Sequence, residues 1–167
     1  MAALPAESDT SERIKVSIAD YAVAEAGTIS TSGLGSCLGL AIYDPEAGVS
    51  ALVHPMLPRR DGNDDRPPER FVDSGIDVVV DALLEHGASK ASLRAKIAGG
   101  AAVVDFGSDD GDSIGDRNIE VAREELSDRG IELVGEEVGG DCGRTVKVDA
   151  ATGDVNVSRT DGEETTL

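Results

Sequence analysis

Leu38-Gly39-Leu40-Ala41-Ile42-Tyr43-Asp44-Pro45-Glu46-Ala47-Gly48-Val49-Ser50-Ala51-Leu52-Val53-His54 is the stretch on which the fold turns. Leu38 to Tyr43 and Val49 to Val53 are near-continuous apolar runs of strand length. Asp44-Pro45 is a turn signal, and the short connection to Gly48 makes the two runs a β-hairpin. Upstream, Ile14 to Ile18 alternates apolar and polar residues and predicts a first strand, which Tyr21 to Ala24 continues or flanks. Thr28 to Thr31 is β-prone and leads into Gly33-Leu34-Gly35-Ser36-Cys37.

Downstream, Arg59 to Arg70 is charged, contains Pro67-Pro68, and predicts an exposed loop. Val72, Ile76, Val79, Val80 and Leu83 recur at helical spacing, with Gly87 placed to stop the helix. Leu93 to Ala98 predicts a strand running into Gly99-Gly100. Ala101 to Phe106 is apolar again, and Gly107 to Gly111 is an acidic turn. Asp116 to Arg129 carries Ile119, Ala122 and Leu126 on one face and meets a terminating glycine at Gly130. Ile131–Val138, Thr145–Val148 and Val155–Val157 complete the strands. Many strands with two helices, not in strict alternation, give an α+β sandwich. Residues 1–12 are expected to fray, 13–160 to form one domain, and 161–167 to be a flexible tail.

The chain has 167 residues, enough for one domain with a real core, and aromatics are only 2% of it, so Val, Ile, Leu and Ala must build that core. A formal net charge of -18 excludes a nucleic-acid binder, which needs Lys and Arg to displace phosphate counterions, and docking on an anionic membrane surface. Such an acidic, lysine-poor surface suits a salt-rich cytoplasm, where screening suppresses self-repulsion, and points to a halophilic source. No signal peptide and no run long enough to span a membrane is visible, so a cytoplasmic protein is expected. Cys37 and Cys142 are expected as free thiols. One Cys and one His are too few for a zinc site, and neither a metal nor a cofactor is expected.

Two glycines just before Cys37 allow a tight turn that fixes a thiol at the start of a strand, with backbone N–H groups at Gly35 and Ser36 available as an oxyanion hole. A structural turn followed by a buried cysteine fits the same pattern. His54 ends the strand that pairs with the one starting at Cys37, so hairpin geometry brings the two ends together, as a thiol–imidazole pair requires. In such a pair the imidazole lowers the thiol pKa and then works as general acid or base. A histidine capping a strand end is the alternative. His86, beside Gly87 at a helix C-terminus, reads as structural. From residues alone the reading stops at a cysteine hydrolase.

Thr31-Ser32-Gly33-Leu34-Gly35-Ser36-Cys37, Asp44-Pro45 and His54-Pro55-Met56-Leu57-Pro58 together resemble the signature of the CheD family of chemoreceptor deamidases. The resemblance continues, in family order, through Ala95-Lys96-Ile97-Ala98-Gly99-Gly100-Ala101, Ile114-Gly115-Asp116-Arg117-Asn118, and Gly139-Gly140 with Gly143-Arg144. It implies a layered α/β/β sandwich and a Cys37–His54–Thr31 triad, in which the Thr31 hydroxyl or carbonyl orients the imidazole. It implies conversion of glutamine to glutamate on the cytoplasmic helical bundle of methyl-accepting chemotaxis receptors, through a thioester and without a cofactor, with receptor methylesterase activity a plausible accompaniment. It also implies the CheC phosphatase as a partner, with deamidation secondary in the alternative reading. Gly99, Gly100, Arg117, Asn118 and Arg144 are weaker candidates for substrate or partner contact, with packing or pairing the favoured role. The residues before His54, and Asp141, depart from the family pattern, and Cys142 matches no catalytic position.

Overall fold

A computed structural model describes residues 13–102 and 113–167, in ten strands, two long helices and two short 3-10 turns. The hairpin is β4 (Leu38–Asp44) with β5 (Val49–Val53), antiparallel from Leu40↔Val53 to Asp44↔Val49. Its turn is held by Asp44, whose carboxylate accepts from the Glu46 and Ala47 N–H groups at 2.8 and 3.1 Å. Around the hairpin stand β2 (Tyr21–Ala24), β6 (Arg94–Gly99) and β7 (Glu132–Val138), in the order β2-β5-β4-β6-β7. A second sheet runs β1-β3-β8-β9-β10, from Arg13–Lys15, Thr28–Leu34, Arg144–Asp149, Val155–Arg159 and Glu164–Thr166. Each sheet is mixed: β1 is parallel to β3, and β6 to β7.

Every residue of β4 and β5 is buried, which explains why their apolar runs show no alternation. Leu38, Leu40 and Ile42, with Val49, Ala51 and Val53, face the helices α1 (Val72–Glu85) and α2 (Ile114–Asp128). Ala41 and Leu52 face the other way, against Ile29, Val146, Val148, Val155 and Val157 of the second sheet. Helices, sheet and sheet therefore form three layers with two apolar interfaces, the α/β/β sandwich that the family resemblance implies.

Helix α2 begins at Ile114 rather than Asp116, because Ser113 and Asp116 form a reciprocal capping box. His86 caps α1, its Nδ1 2.9 Å from the Ala82 carbonyl, as its position beside Gly87 suggested. Strand β1 stops at Lys15, short of the expected Ile18. The chain turns at Ala19, at φ 60°, and crosses to the other sheet as β2. Residues 161–167, expected as a tail, carry β10, which pairs with β9. Lys96 supplies a reason. It lies between the sheets, and its ammonium donates to the Gly153 and Leu167 carbonyls at 2.9 and 2.8 Å over the Tyr43 ring. A buried ammonium needs such acceptors, and here one comes from residue 167. The segments 1–12, 103–106 and Gly107 to Gly111 lie outside the described residues. Among the described residues no helix is long and apolar enough to cross a membrane.

Candidate active site

The β4–β5 ladder continues one step past its strands, with the Leu38 N–H donating to the Pro55 carbonyl at 3.2 Å. Gly39 then stands across from His54, and Cys37 diagonally from it on the same face, the one turned toward the second sheet. Diagonal neighbours on one face have Cα atoms about 7–8 Å apart, within reach of long side chains. Gly39 has no side chain, and a Cβ there would stand 3.0 Å from Leu34 Cδ1 and 3.6 Å from Thr31 Cγ2. The second sheet fills that space and places Thr31 against the imidazole.

Thr31 Oγ1 is 2.7 Å from His54 Nδ1 and 2.7 Å from the Val16 carbonyl. A hydroxyl has one proton, and a carbonyl can only accept, so Thr31 donates to Val16 and accepts from Nδ1–H. This assigns the tautomer: Nδ1 carries the proton and Nε2 has a free lone pair. Nε2 is buried and has no hydrogen-bond partner among the described residues. Leaving a buried polar atom unpaired costs about 1–3 kcal/mol, so a bare Nε2 fits a group kept for proton transfer. The imidazole is further fixed through its backbone, which donates to the Asp20 carbonyl and accepts from the Ala19 N–H at 3.1 and 2.8 Å. Of the two roles proposed for Thr31, the hydroxyl is the one in contact with the ring.

The Cys37 turn is held by its carbonyls. Gly35 O accepts from Ala101 N, Cys37 O from Gly100 N, and Ser36 O from Asn118 Nδ2, at 2.8, 2.9 and 2.9 Å. The Gly35 N–H closes the turn on Gly33 O. Among the described residues no acceptor takes the Ser36 or Cys37 N–H, so the two open donors lie one residue later than the expected Gly35–Ser36 pair.

Cys37, His54 and Thr31 are 9%, 2% and 4% exposed. Burial pushes the Cys37 thiol up, only partly offset by its own backbone N–H, and pushes His54 down to about 4. No hydrogen bond joins Sγ to the ring. The resting pair is thus a neutral thiol and a neutral imidazole, rather than the thiol with a lowered pKa expected from sequence, because desolvation penalises both charged forms. His54 also makes stability depend on pH. Between about 4 and 6.5 the unfolded chain binds a proton that the folded chain refuses. Stability is therefore full above pH 6.5 and falls as pH drops toward 4, by roughly 3 kcal/mol in total at 1.36 kcal/mol per unit. Urea titrations from pH 4 to 7 on wild type and His54→Gln should show that slope shrinking by about one proton in the variant.

Asn118 and Arg144, weak candidates for outside contacts, are buried and bonded internally. Asn118 Nδ2 also donates to the Met56 carbonyl at 3.1 Å, tying the cysteine turn to the His54-Pro55-Met56 segment. Arg144 pairs with Glu137 and donates to the Gly139 carbonyl at 2.8 Å. Gly99 and Gly100 back onto the Cys37 turn, where a Cβ at Gly99 would lie 2.3 Å from the Cys37 carbonyl oxygen. Arg117 is exposed and lines a shallow depression with Arg59 and Glu124. Gly39 escaped the sequence reading, although a glycine inside an apolar strand is itself a sign of close approach.

A bare imidazole nitrogen, a hydroxyl fixing its tautomer, and a cysteine on the same sheet face with open amides beside it place the chain among candidate cysteine-dependent acyl-transfer proteins. A family model described as "CheD chemotactic sensory transduction" matches residues 56–159. A Haloarcula marismortui protein named "Probable chemoreceptor glutamine deamidase CheD" is 46% identical over 96% of this chain and 93% of its own length. A Thermococcus kodakarensis protein of the same name is 42% identical over 87% of this chain and 92% of its own. The chain belongs to the CheD family. A solved Neisseria meningitidis structure of the DUF152 family superposes on 83% of this chain and 66% of its own, with a TM-score of 0.47 at 12% identity, too loose a likeness to bear on function.

Proposed function

We propose that the chain is a protein-glutamine deamidase acting on chemoreceptors, with Cys37 as nucleophile, His54 as acid–base and Thr31 as the residue that positions His54. The observation that carries this is the Thr31–His54 hydrogen bond, which leaves Nε2 as the available base. Cys37 Sγ attacks the carboxamide carbon of a receptor glutamine as its proton passes to Nε2. The oxyanion is held by the Ser36 and Cys37 N–H groups. The imidazolium protonates the amide nitrogen, the C–N bond breaks, and ammonia leaves a γ-glutamyl thioester. Water, losing a proton to Nε2, then cleaves the C–S bond to give glutamate and the free thiol. A γ-glutamyl methyl ester would follow the same steps with methanol as leaving group. Partnership with the CheC phosphatase, with deamidation secondary, is the alternative reading that the resemblance implies.

Incubation with purified receptors, followed by peptide mass analysis, tests the reading. Glutamine peptides should gain the mass that replaces NH2 by OH, and unchanged receptors would overturn it. Thr31→Val should lower kcat roughly 10- to 100-fold with little change in KM, since the tautomer is no longer fixed while substrate contacts persist. Thr31→Ser, which keeps the hydroxyl, should recover most of that loss. Equal kcat in Val and Ser variants would remove Thr31 from the mechanism.

A further inference from the structure

Beside Thr31 and His54 opens a groove of about 670 Å³, lined also by Arg13, Lys15, Ser17, Ile18 and Lys147. Resting on the deamidase reading above, we propose that this groove recognises the receptor helix through acidic side chains flanking the target glutamine.

The register across the second sheet builds the groove. Lys15 pairs with Ser30 and Ser30 with Lys147, so the two lysines flank a short serine in one row over three strands. Their side chains stand on the solvent face, because Ile29 and Val148 face the core. Strands lie about 4.8 Å apart, which puts the lysine backbones roughly 10 Å apart. Two turns of helix advance about 11 Å, so carboxylates seven residues apart on one helix face match that spacing.

The charge distribution makes this row unusual. The chain carries 33 Asp and Glu against 15 Lys and Arg, yet no Asp or Glu lines the groove among the described residues. Most arginines are taken up by internal ion pairs, whereas none of the ion pairs among the described residues involves Arg13, Lys15 or Lys147. Arg13, Lys15 and Lys147, without an ion-pair partner among the described residues, thus line the same groove as His54. At the groove's lip Ile18 is 52% exposed, an apolar contact for a helix that shows both apolar and acidic faces. In concentrated salt the Debye length falls to about 3 Å, so long-range repulsion between an acidic enzyme and an acidic helix is screened while contact pairs in a groove persist.

The test uses the full chain carrying Cys37→Ala, which binds without turning over, and a purified receptor cytoplasmic fragment in two forms. One is native; in the other the glutamates beside the deamidated glutamine are replaced by alanine. The native fragment should bind roughly tenfold more tightly, the scale of two or three surface ion pairs. Adding Lys15→Glu and Lys147→Glu should abolish that preference and transfer it to a fragment with lysines at the flanking positions, a gain that a misfolded variant cannot show. Equal binding of native and neutralised fragments, no binding of the native fragment, or unchanged affinity after charge reversal would overturn the proposal. Turnover by the wild-type chain reports separately on the deamidase reading: glutamate formed with no dependence on flanking charge sinks the groove alone, and charge-dependent binding without turnover sinks the deamidase alone.

Discussion

Cys37→Ala is expected to stop receptor deamidation, with a loss of roughly four orders of magnitude or more in kcat, as removal of a covalent nucleophile does in acyl-transfer enzymes. The fold should persist. Deleting one small buried atom costs about 1 kcal/mol, and the turn itself is held by the Gly35, Ser36 and Cys37 carbonyls, which the substitution does not touch. Retained activity with an unchanged melting temperature would exclude the thiol from the chemistry. A large fall in melting temperature would show instead that Cys37 is chiefly a packing residue.

Gly99→Ala should produce the largest structural effect. Gly99 sits at φ +107°, where a side chain is strained, and its Cβ would meet the Cys37 carbonyl oxygen at 2.3 Å. That obstacle is backbone, tied to the Gly100 N–H, and has no rotamer to yield. Strain of this kind costs about 1–3 kcal/mol before the clash is counted. The expected outcome is a loss of about 3 kcal/mol or more in chemical denaturation, with deamidation falling further because the turn carrying the thiol must shift. Gly62→Ala, with nothing within 4 Å of its Cβ, serves as the control and should be near neutral. Equal stability of the two variants would contradict the close approach between β6 and the cysteine turn.

The hairpin was legible because Leu38–Tyr43 and Val49–Val53 are apolar on both faces and Asp44-Pro45 marks the turn between them. That same hairpin brought Cys37 and His54 to one sheet face, a step available from spacing alone. The partner of the imidazole was not. Thr31 comes from the other sheet, and its hydrogen bond depends on how two sheets stack over Gly39, which no local pattern encodes. The family resemblance singled out Thr31, whose Oγ1 lies 2.7 Å from His54 Nδ1. The protonation of the pair was misread for a related reason: a thiol and an imidazole at strand ends look accessible in sequence, whereas two covering layers bury them. Asn118 reads in sequence as a polar residue near a helix start. Its amide bridges Ser36 and Met56, residues 82 and 62 positions away, and that distance hides its role. The edge strand β10 was missed because Glu164-Thr165-Thr166 has no apolar alternation, being exposed throughout and fixed by pairing with β9.

Acid quenching of wild-type chain during turnover on receptors, followed by intact-peptide mass analysis, tests the acyl-transfer account most directly. The account predicts a covalent γ-glutamyl adduct on the Cys37 peptide, absent from Cys142, which disappears on longer incubation as receptor glutamate accumulates. Glutamate accumulating at full rate in the Cys37→Ser and Cys37→Ala variants, with no adduct on Cys37 in the wild type, would contradict it.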